Sequence, residues 1–130
     1  MKSLLVEDEF TSRVILQKIL LEHGQCDIAV NGKEATIAFR AALNEGSPYD
    51  VICMDIMMPE MDGREAVKMI RETEKESGIN PVREVKIIMT TADKSIHSVT
   101  GSLKEGATSY ISKPIKKKRI TEELKEFGLI

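Results

Sequence analysis

Residues 51–63 read Val51-Ile52-Cys53-Met54-Asp55-Ile56-Met57-Met58-Pro59-Glu60-Met61-Asp62-Gly63. A short apolar run bounded by turn-forming residues is typical of a buried strand, so residues 51–55 are predicted to form one. Asp55 ends this run, which places its carboxylate at the rim of a sheet. Taken alone, this carboxylate could equally cap a turn, because aspartate is a common turn residue. The rest of the chain decides between the two interpretations.

The composition is that of an ordinary globular domain. The chain has 130 residues, of which 42% are hydrophobic and 31% charged, and this size supports one domain with its own core. Residues 1–130 are therefore predicted to form a single domain, and no second domain is visible. The formal net charge of -2 lacks the basic surplus of a nucleic-acid-binding domain, so no direct nucleic-acid contact is expected.

Neither a membrane span nor a secretion signal is visible in the sequence. No apolar stretch has the length needed to cross a bilayer, and acidic residues begin at Glu7, too early for a signal peptide. Cys26 and Cys53 lie in apolar runs without metal-ligand or redox spacing, which favours two free thiols. These features predict a cytoplasmic protein that does not insert into membranes.

Strand-like and helix-like segments alternate five times along the chain. The predicted strands cover residues 4–6, 26–30, 51–55, 85–89 and 110–111. Such alternation predicts an α/β fold in which a parallel sheet is doubly wound, with helices on both faces. The first, third and fourth strands are the more continuously apolar, as expected when both faces are covered, whereas the second and fifth suit the edges.

The predicted helices differ in how clearly they begin. Asn31 with Glu34, and Asp62 with Glu65, each form a capping-box-like pattern at a helix start. The helix predicted from Asp93 is rich in Ser, Thr and Gly, so we expect it to be the least stable. The first helix carries apolar residues at helical spacing, namely Phe10, Val14, Ile15, Ile19 and Leu20.

The last predicted helix begins with four consecutive cations, Lys116–Arg119. Positive charge at a helix N-terminus is unfavourable with the helix dipole. The run is either a solvated surface or a contact for an acidic partner, and the sequence leaves both open. The apolar side of the same helix carries Ile120, Leu124 and Phe127.

Five functional side chains are predicted to meet at one edge of the sheet. Glu7 and Asp8 follow the first strand, and Asp55 ends the third. Thr91 follows the fourth strand and Lys113 the fifth. The carboxyl ends of parallel strands share one edge, and ligands bind in the crevice there. Each residue alone could be a helix cap, a turn residue or a solvated charge, but their convergence favours a joint site.

The three carboxylates of this edge require a compensating positive charge, because clustered acids raise one another's pKa. Mg²⁺ suits them, since it takes oxygen ligands and uses only one or two carboxylates while retaining waters. Lys113 would add a point charge, and Thr91 a hydroxyl donor. This set of groups suits phosphoryl transfer, in which Asp55 can act as the nucleophile and become an aspartyl-phosphate.

Four separated motifs resemble those of the receiver domain of two-component response regulators. They read Leu5-Val6-Glu7-Asp8-Glu9, Met54-Asp55-Ile56-Met57-Met58-Pro59-Glu60-Met61-Asp62-Gly63, Thr91-Ala92 and Tyr110-Ile111-Ser112-Lys113-Pro114. The resemblance spans residues 1–130 as a single receiver domain and leaves nothing over for an output domain. It implies a flavodoxin-like, doubly wound, five-stranded parallel sheet in the order 2-1-3-4-5, with five helices on both faces. The start at Met1 and the end soon after the last helix favour a stand-alone protein similar to the chemotaxis regulators.

The resemblance implies a role for each site residue that handles the phosphoryl group. Asp55 would be the phosphoacceptor, and Thr91 and Lys113 would bind the phosphoryl oxygens. Thr91 and Tyr110 would act as switch residues, because movement of the threonine vacates space that the aromatic ring can fill. The helix predicted from Asp93, the fifth strand and the last helix would then change surface shape.

The resemblance also implies a Mg²⁺ site. Asp8 would be a direct ligand, Glu7 would act through water, Asp55 would contribute its carboxylate, and Met57 would contribute its backbone carbonyl. Glu7 departs from the family, which most often has aspartate there, and its extra methylene is expected to carry the carboxylate outward. The family also suggests a cis peptide before Pro114.

The implied function is a phosphorylation-activated signalling switch. Its partners would be a sensor histidine kinase or histidine phosphotransfer protein, which supplies the phosphoryl group, and a downstream target protein. It would not be a turnover enzyme, since it would catalyse only its own phosphorylation and dephosphorylation. Two alternatives remain, a haloacid-dehalogenase-type phosphatase and a receiver-like binding module that is never phosphorylated. The phosphatase signature Asp-x-Asp is missing, because Met57 stands two residues after Asp55.

Overall fold

A computed structural model describes residues 1–92 and 106–130 of the chain. The helix predicted from Asp93, with its apolar residues Ile96, Val99 and Leu103, lies outside the described residues. The described residues contain every predicted strand and every predicted site residue. No helix among them is both long enough and apolar enough to cross a membrane.

The core of the fold is a five-stranded sheet in which every pairing is parallel. The strand order is β2-β1-β3-β4-β5, as predicted, with the mixed strands at the two edges. The strand bounds are β1 Lys2–Val6, β2 Gln25–Ala29, β3 Val51–Asp55, β4 Lys86–Thr91 and β5 Ser109–Ser112. β3 has the predicted limits and lies at the centre of the sheet.

β4 extends two residues beyond its predicted end, and the extension changes the position of one site residue. Thr90 pairs with Asp55 of β3, and Thr91 pairs with Ser112 of β5. Parallel pairing on both sides therefore continues the strand past its apolar run. Thr91 is the last residue of β4 and not, as predicted, a residue that follows it.

Four helices surround the sheet in the described part of the chain. Five were predicted, and the one not seen is the helix from Asp93, which lies outside the described residues. A short 3-10 helix, Pro81–Arg83, interrupts the long connection before β4. The helix bounds are α1 Phe10–Leu21, α2 Gly32–Asn44, α3 Gly63–Glu76 and α4 Lys117–Glu126.

The helix starts follow the predicted capping chemistry. The Asn31 side chain accepts from the backbone N–H of Glu34 at 2.8 Å, and Asp62 accepts from the N–H of Glu65 at 3.0 Å. Each bond satisfies an amide that the first helical turn leaves without a partner. The two caps fix where α2 and α3 begin, and with them the loops at the functional edge of the sheet.

Alternating side chains of the strands form a separate core on each face of the sheet. On one face, residues such as Leu4, Ile52 and Ile87 pack with apolar residues of α2 and α3. On the other, residues such as Leu5, Cys53 and Ile88 pack with α1 and α4. The prediction that helices cover both faces is thereby confirmed.

The buried face of α1 differs from the predicted one. Leu16, Ile19 and Leu20 are buried, whereas Phe10 is 69% exposed and Ile15 48% exposed. The apolar arc of α1 is wider than the surface that the sheet offers, so only the i, i+3, i+4 stripe beginning at Leu16 reaches the core. The predicted apolar side of α4 is correct: Ile120 and Leu124 are buried, and Phe127 packs against the same core.

The cations at the start of α4 form ion pairs within the chain. Lys117 Nζ lies 2.8 Å from Glu22 Oε1, and Arg119 Nη2 lies 3.0 Å from Glu123 Oε1. Lys116 occupies the N-cap position without a side-chain capping bond. These pairs offset part of the unfavourable charge at the helix start, and a contact with an acidic partner stays a prediction.

Candidate functional site

The Asp55 carboxylate lies at the carboxyl end of the central strand, and both of its oxygens have partners. Oδ1 accepts from the backbone N–H of Met57 at 3.3 Å. Oδ2 accepts from Lys113 Nζ at 3.2 Å. The first contact is the turn-stabilising bond considered from the sequence, and the second is the charge pair of a site. The Asp55 side chain thus stabilises a turn and also takes part in a charged cluster.

The loop after Asp55 turns back closely onto the strand. The Gly63 N–H donates to the carbonyl of Ile56 at 2.9 Å, and the Ile56 N–H donates to the carbonyl of Thr90 at 3.0 Å. A Cβ at Gly63 would collide with the backbone carbonyl oxygen of Asp55. Glycine at this position therefore allows α3 to begin directly behind the carboxylate.

Glu7 is buried beside Asp55, and its side chain is only 1% exposed. Its Oε1 lies 2.6 Å from Lys113 Nζ, and its Oε2 accepts from the backbone N–H of Glu9 at 3.2 Å. The expectation that the extra methylene carries this carboxylate outward is wrong. The ammonium group and the backbone amide draw it inward, which leaves Asp8 as the exposed member of the acidic pair.

Glu9, and not the acidic pair before it, caps α1. Its side chain accepts from the backbone N–H groups of Thr11 at 3.2 Å and Ser12 at 2.6 Å. These bonds, led by that from Ser12, lower the pKa of Glu9 below its ordinary value. Since the helix start is already satisfied, Glu7 and Asp8 are not required as caps.

Arg13 is a supporting residue that the sequence reasoning missed. Its Nη1 donates to the backbone carbonyl of Glu7 at 3.1 Å and to that of Asp8 at 3.3 Å. The guanidinium also stacks over the exposed Phe10 ring, 5.6 Å from its centroid. A side chain in the first turns of a helix points back towards its N-terminus. The position of Arg13, one turn after the cap, was therefore the available signal.

The charges of Glu7 and Lys113 are coupled. Burial raises the pKa of Glu7 above its ordinary value and the neighbouring Asp55 carboxylate adds to this, while the Lys113 ammonium opposes it. Burial alone would lower the pKa of Lys113, but the two carboxylates outweigh burial and raise it. The ammonium is therefore firmly charged at neutral pH and neutralises part of the acidic cluster.

The three carboxylates fit a small divalent cation. One oxygen from each of Glu7, Asp8 and Asp55 lies within 4.8 Å of the other two. Glu7 Oε1 is buried and lies 2.6 Å from the Lys113 ammonium, which already supplies the cluster with one positive charge. A donor set made only of oxygens is the one that Mg²⁺ prefers. These residues can therefore hold Mg²⁺.

The remaining predicted site residues lie at or next to the same edge. Thr91 is fully buried at the end of β4. Tyr110 is half-buried in β5, paired with Met89 and packed against the core beneath α2 and α3. The Met57 side chain is exposed in the loop after β3. The peptide bond between Lys113 and Pro114 is cis, as the resemblance suggested.

The sequence around this site matches one protein family. Residues 4–125 match the response regulator receiver domain. The chain belongs to this family. A receiver domain is a signalling switch of two-component systems, and a match over nearly the whole chain favours this class over the phosphatase.

Relatives of this receiver domain include short regulators and large kinases. The two-component response regulator ORR41 of Oryza sativa subsp. japonica is 31% identical over 126 residues, which cover 97% of this chain and 93% of that protein. The hybrid signal transduction histidine kinase B of Dictyostelium discoideum is 40% identical over 121 residues, which cover 88% of this chain and 6% of that protein. The chain spans 6% to 12% of the length of four histidine kinases that it matches.

Solved receiver domains have the same fold. The Saccharomyces cerevisiae Ssk1 receiver domain, crystallised with the histidine phosphotransfer protein Ypd1, aligns with a TM-score of 0.84 and 32% identity, covering 98% of this chain and 88% of that one. The receiver domain of the Arabidopsis thaliana histidine kinase CKI1, complexed with Mg²⁺ and BeF3-, aligns with a TM-score of 0.80 and 27% identity, covering 96% and 89%. The flavodoxin-like fold is confirmed.

Proposed function

We propose that this receiver domain accepts a phosphoryl group on Asp55 from the phosphohistidine of a kinase or phosphotransfer protein. The observation that carries the proposal is the environment of the Asp55 carboxylate. It lies 3.2 Å from a Lys113 ammonium and shares a metal-sized cluster with Glu7 and Asp8. A carboxylate nucleophile that is paired with an ammonium group and lies next to an oxygen-lined cation site is an arrangement suited to phosphoryl transfer.

The proposed step exchanges one bond to phosphorus for another. A carboxylate oxygen of Asp55 attacks the phosphorus, the new O–P bond forms, and the P–N bond to the donor imidazole breaks with its electron pair going to nitrogen. Lys113 then pairs with a phosphoryl oxygen, and the Thr91 hydroxyl binds another. Asp8, Asp55 and the Met57 carbonyl, with Glu7 behind them, would hold Mg²⁺, which when bound would supply positive charge to neutralise the transferred group.

The proposed switch works through the strands that carry these side chains. Thr91 ends β4, and Tyr110 lies in the adjacent β5. Attraction of the Thr91 hydroxyl to the phosphoryl group would let the Tyr110 ring turn inward, and the exposed surface of β5 and α4 would change for a downstream target protein. The domain undergoes its own phosphorylation and dephosphorylation and turns over no separate substrate.

The proposed setting is a cytoplasmic two-component phosphorelay in which residues 1–130 act as one receiver unit. Two free thiols, Cys26 and Cys53, support a reducing compartment. The similarity to a receiver crystallised with a histidine phosphotransfer protein supports a phosphohistidine donor.

Labelling with radioactive acetyl phosphate in the presence of Mg²⁺ tests the phosphoacceptor. Asp55→Asn keeps the size of the side chain but removes its nucleophilic oxygen, so the label should be abolished. Glu60→Gln serves as the matched control, because this exposed acid lies in the same loop and should leave labelling unchanged. Undiminished label on the folded Asp55→Asn protein would refute the assignment.

A further inference from the structure

A groove between α2 and α3 exposes apolar side chains, and of these only Met61 also packs against a core. Its volume is about 550 Å³, and its lining includes Ile37, Ala41, Met61 and Met69. Ile37 is 61% exposed and Met69 is 38% exposed. Single exposed apolar residues are ordinary, but these share one concave surface. The groove is therefore a candidate for contact with another protein.

The side of α2 that faces the core does not include Ile37. Ala35, Phe39 and Ala42 already fill the interface of α2 with the sheet. Ile37 projects from a different side of the helix, so burial in this domain does not account for a large apolar residue there. Ile37 is therefore available for a contact outside the domain.

Two cations frame the apolar surface on the same helix. Lys33 and Arg40 line the groove on either side of Ile37, four and three residues away. They are two helical turns apart, which corresponds to about 10 Å along the axis. Arg40 Nη2 donates to the Thr73 hydroxyl at 3.4 Å. Among the described residues, neither cation has a carboxylate within ion-pair distance.

The groove is preformed, because the chain packs tightly at the end of the groove that lies next to the first turn of α2. The Gly32 N–H donates to the Met61 carbonyl at 3.3 Å, and a Cβ at Gly32 would lie only 2.6 Å from that oxygen. The first turn of α2 therefore sits directly against the loop that precedes α3. A rigid groove reduces the entropy lost when a partner binds.

We propose that the α2–α3 groove docks an amphipathic, acidic α-helix of a partner protein. Apolar residues of that helix would pack on Ile37 and Met69, as in other helix-in-groove complexes. Carboxylates seven residues apart on the same face would pair with Lys33 and Arg40. The groove runs along the layer formed by α2 and α3, and its end at Lys33 and Met61 reaches the loop that follows β3. Because the groove is formed in the unphosphorylated domain, we expect docking without phosphorylation of Asp55.

A pair of synthetic helical peptides of about five turns tests both the shape and the charge of the proposed partner. One carries leucines on one face with glutamates seven residues apart, and the other has lysines in place of those glutamates. Fluorescence anisotropy at low salt, without Mg²⁺ or a phosphoryl donor, measures their affinity. Lys33→Glu combined with Arg40→Glu should lower the affinity for the acidic peptide at least tenfold. The double variant should then bind the lysine peptide more tightly than the acidic one.

Matched controls separate docking from a general charge effect. Lys68→Glu combined with Lys75→Glu changes the net charge equally on exposed positions outside the groove lining, and should leave the affinity unchanged. Ile37→Ser should lower the affinity for both peptides. Equal binding by the wild type and the Lys33/Arg40 variant, with folding confirmed by circular dichroism, would overturn the proposal. So would a dimer of the chain alone that Ile37→Ser dissociates, because the occupant would then be a second copy.

Discussion

Replacement of Glu74 by alanine tests whether this buried carboxylate, paired with Arg71 within α3, holds the helix to the residue before β4. Glu74 is only 2% exposed. Its Oε1 lies 2.7 Å from Arg71 Nη1, and its Oε2 accepts from the backbone N–H of Val85 at 2.8 Å. Arg71 Nε also donates to the Gly106 carbonyl at 2.9 Å. One carboxylate thus connects three segments of the chain.

The size of the effect follows from the groups that alanine would leave without partners. A buried amide that loses its acceptor costs about 1–3 kcal/mol, and the Val85 N–H is such a group. Breaking a fully buried ion pair costs about 3–5 kcal/mol, but Arg71 is partly exposed and keeps its bond to Gly106, so only a fraction applies. We expect Glu74→Ala to lower the free energy of unfolding by about 3 kcal/mol.

Urea unfolding followed by circular dichroism measures this loss. With a slope of about 2 kcal/mol per molar urea, the midpoint should fall by about 1.5 M. Glu74→Gln, which retains an acceptor for Val85, should lose only about 1 kcal/mol. Glu76→Ala, at an exposed position of the same helix, should stay within about 0.5 kcal/mol of the wild type. If Glu74→Ala and Glu76→Ala unfold at the same midpoint, the ion pair contributes nothing and the reasoning fails.

Three further substitutions or reagents probe other parts of the molecule. Lys113→Met removes the cation between two carboxylates and should lower the free energy of unfolding by about 2 kcal/mol in EDTA, with a smaller loss in saturating Mg²⁺; urea titrations that give equal losses would contradict this. Hydrogen bonds from Gln25 and Tyr49 hold the pKa of Asp27 in the folded protein below its ordinary value of 3.8. These bonds therefore stabilise the folded protein at pH values above 3.8, and this stabilisation is lost as the pH falls through the lower pKa of the folded state. Tyr49→Phe should therefore cost about 1 kcal/mol at neutral pH, and a deficit that persists undiminished in acid would refute the assignment. Burial raises the pKa of Cys53 to about 12, so a thiol reagent at pH 8 should modify it only in denaturant, as mass spectrometry of the labelled peptide would show.

Local sequence chemistry predicted most of the fold, because the decisive signals lie within a few residues of one another. The limits of β3 match the apolar run that ends at Asp55. Asn31 and Asp62 cap their helices as their spacing to a glutamate indicated. The edge and central strands follow from how continuously apolar each strand is, since coverage on both faces demands it. The strand order itself came from the family resemblance.

The errors occurred where a contact distant in sequence decides the outcome. Thr91 belongs to β4 because Ser112 of another strand pairs with it, and no local pattern shows that. Ile15 is exposed because the sheet covers only part of the apolar arc of α1. Arg13 supports the acidic turn through its backbone carbonyls, and carbonyls carry no residue-specific signal.

The inward position of Glu7 shows how such a distant contact determines the chemistry of the site. Clustered carboxylates need positive charge, and Lys113 provides it from the end of β5, binding the acid after β1 and the one that ends β3. The ammonium therefore joins three strand ends, by an ion pair with Glu7 and a charge-assisted hydrogen bond to Asp55. A phosphoryl group on Asp55, as proposed, would add negative charge beside Lys113 and compete with Glu7 for it. Because Lys113 begins the segment that leads into α4, a change in its pairing would act on the chain between β5 and α4, which connects the state of Asp55 to that surface.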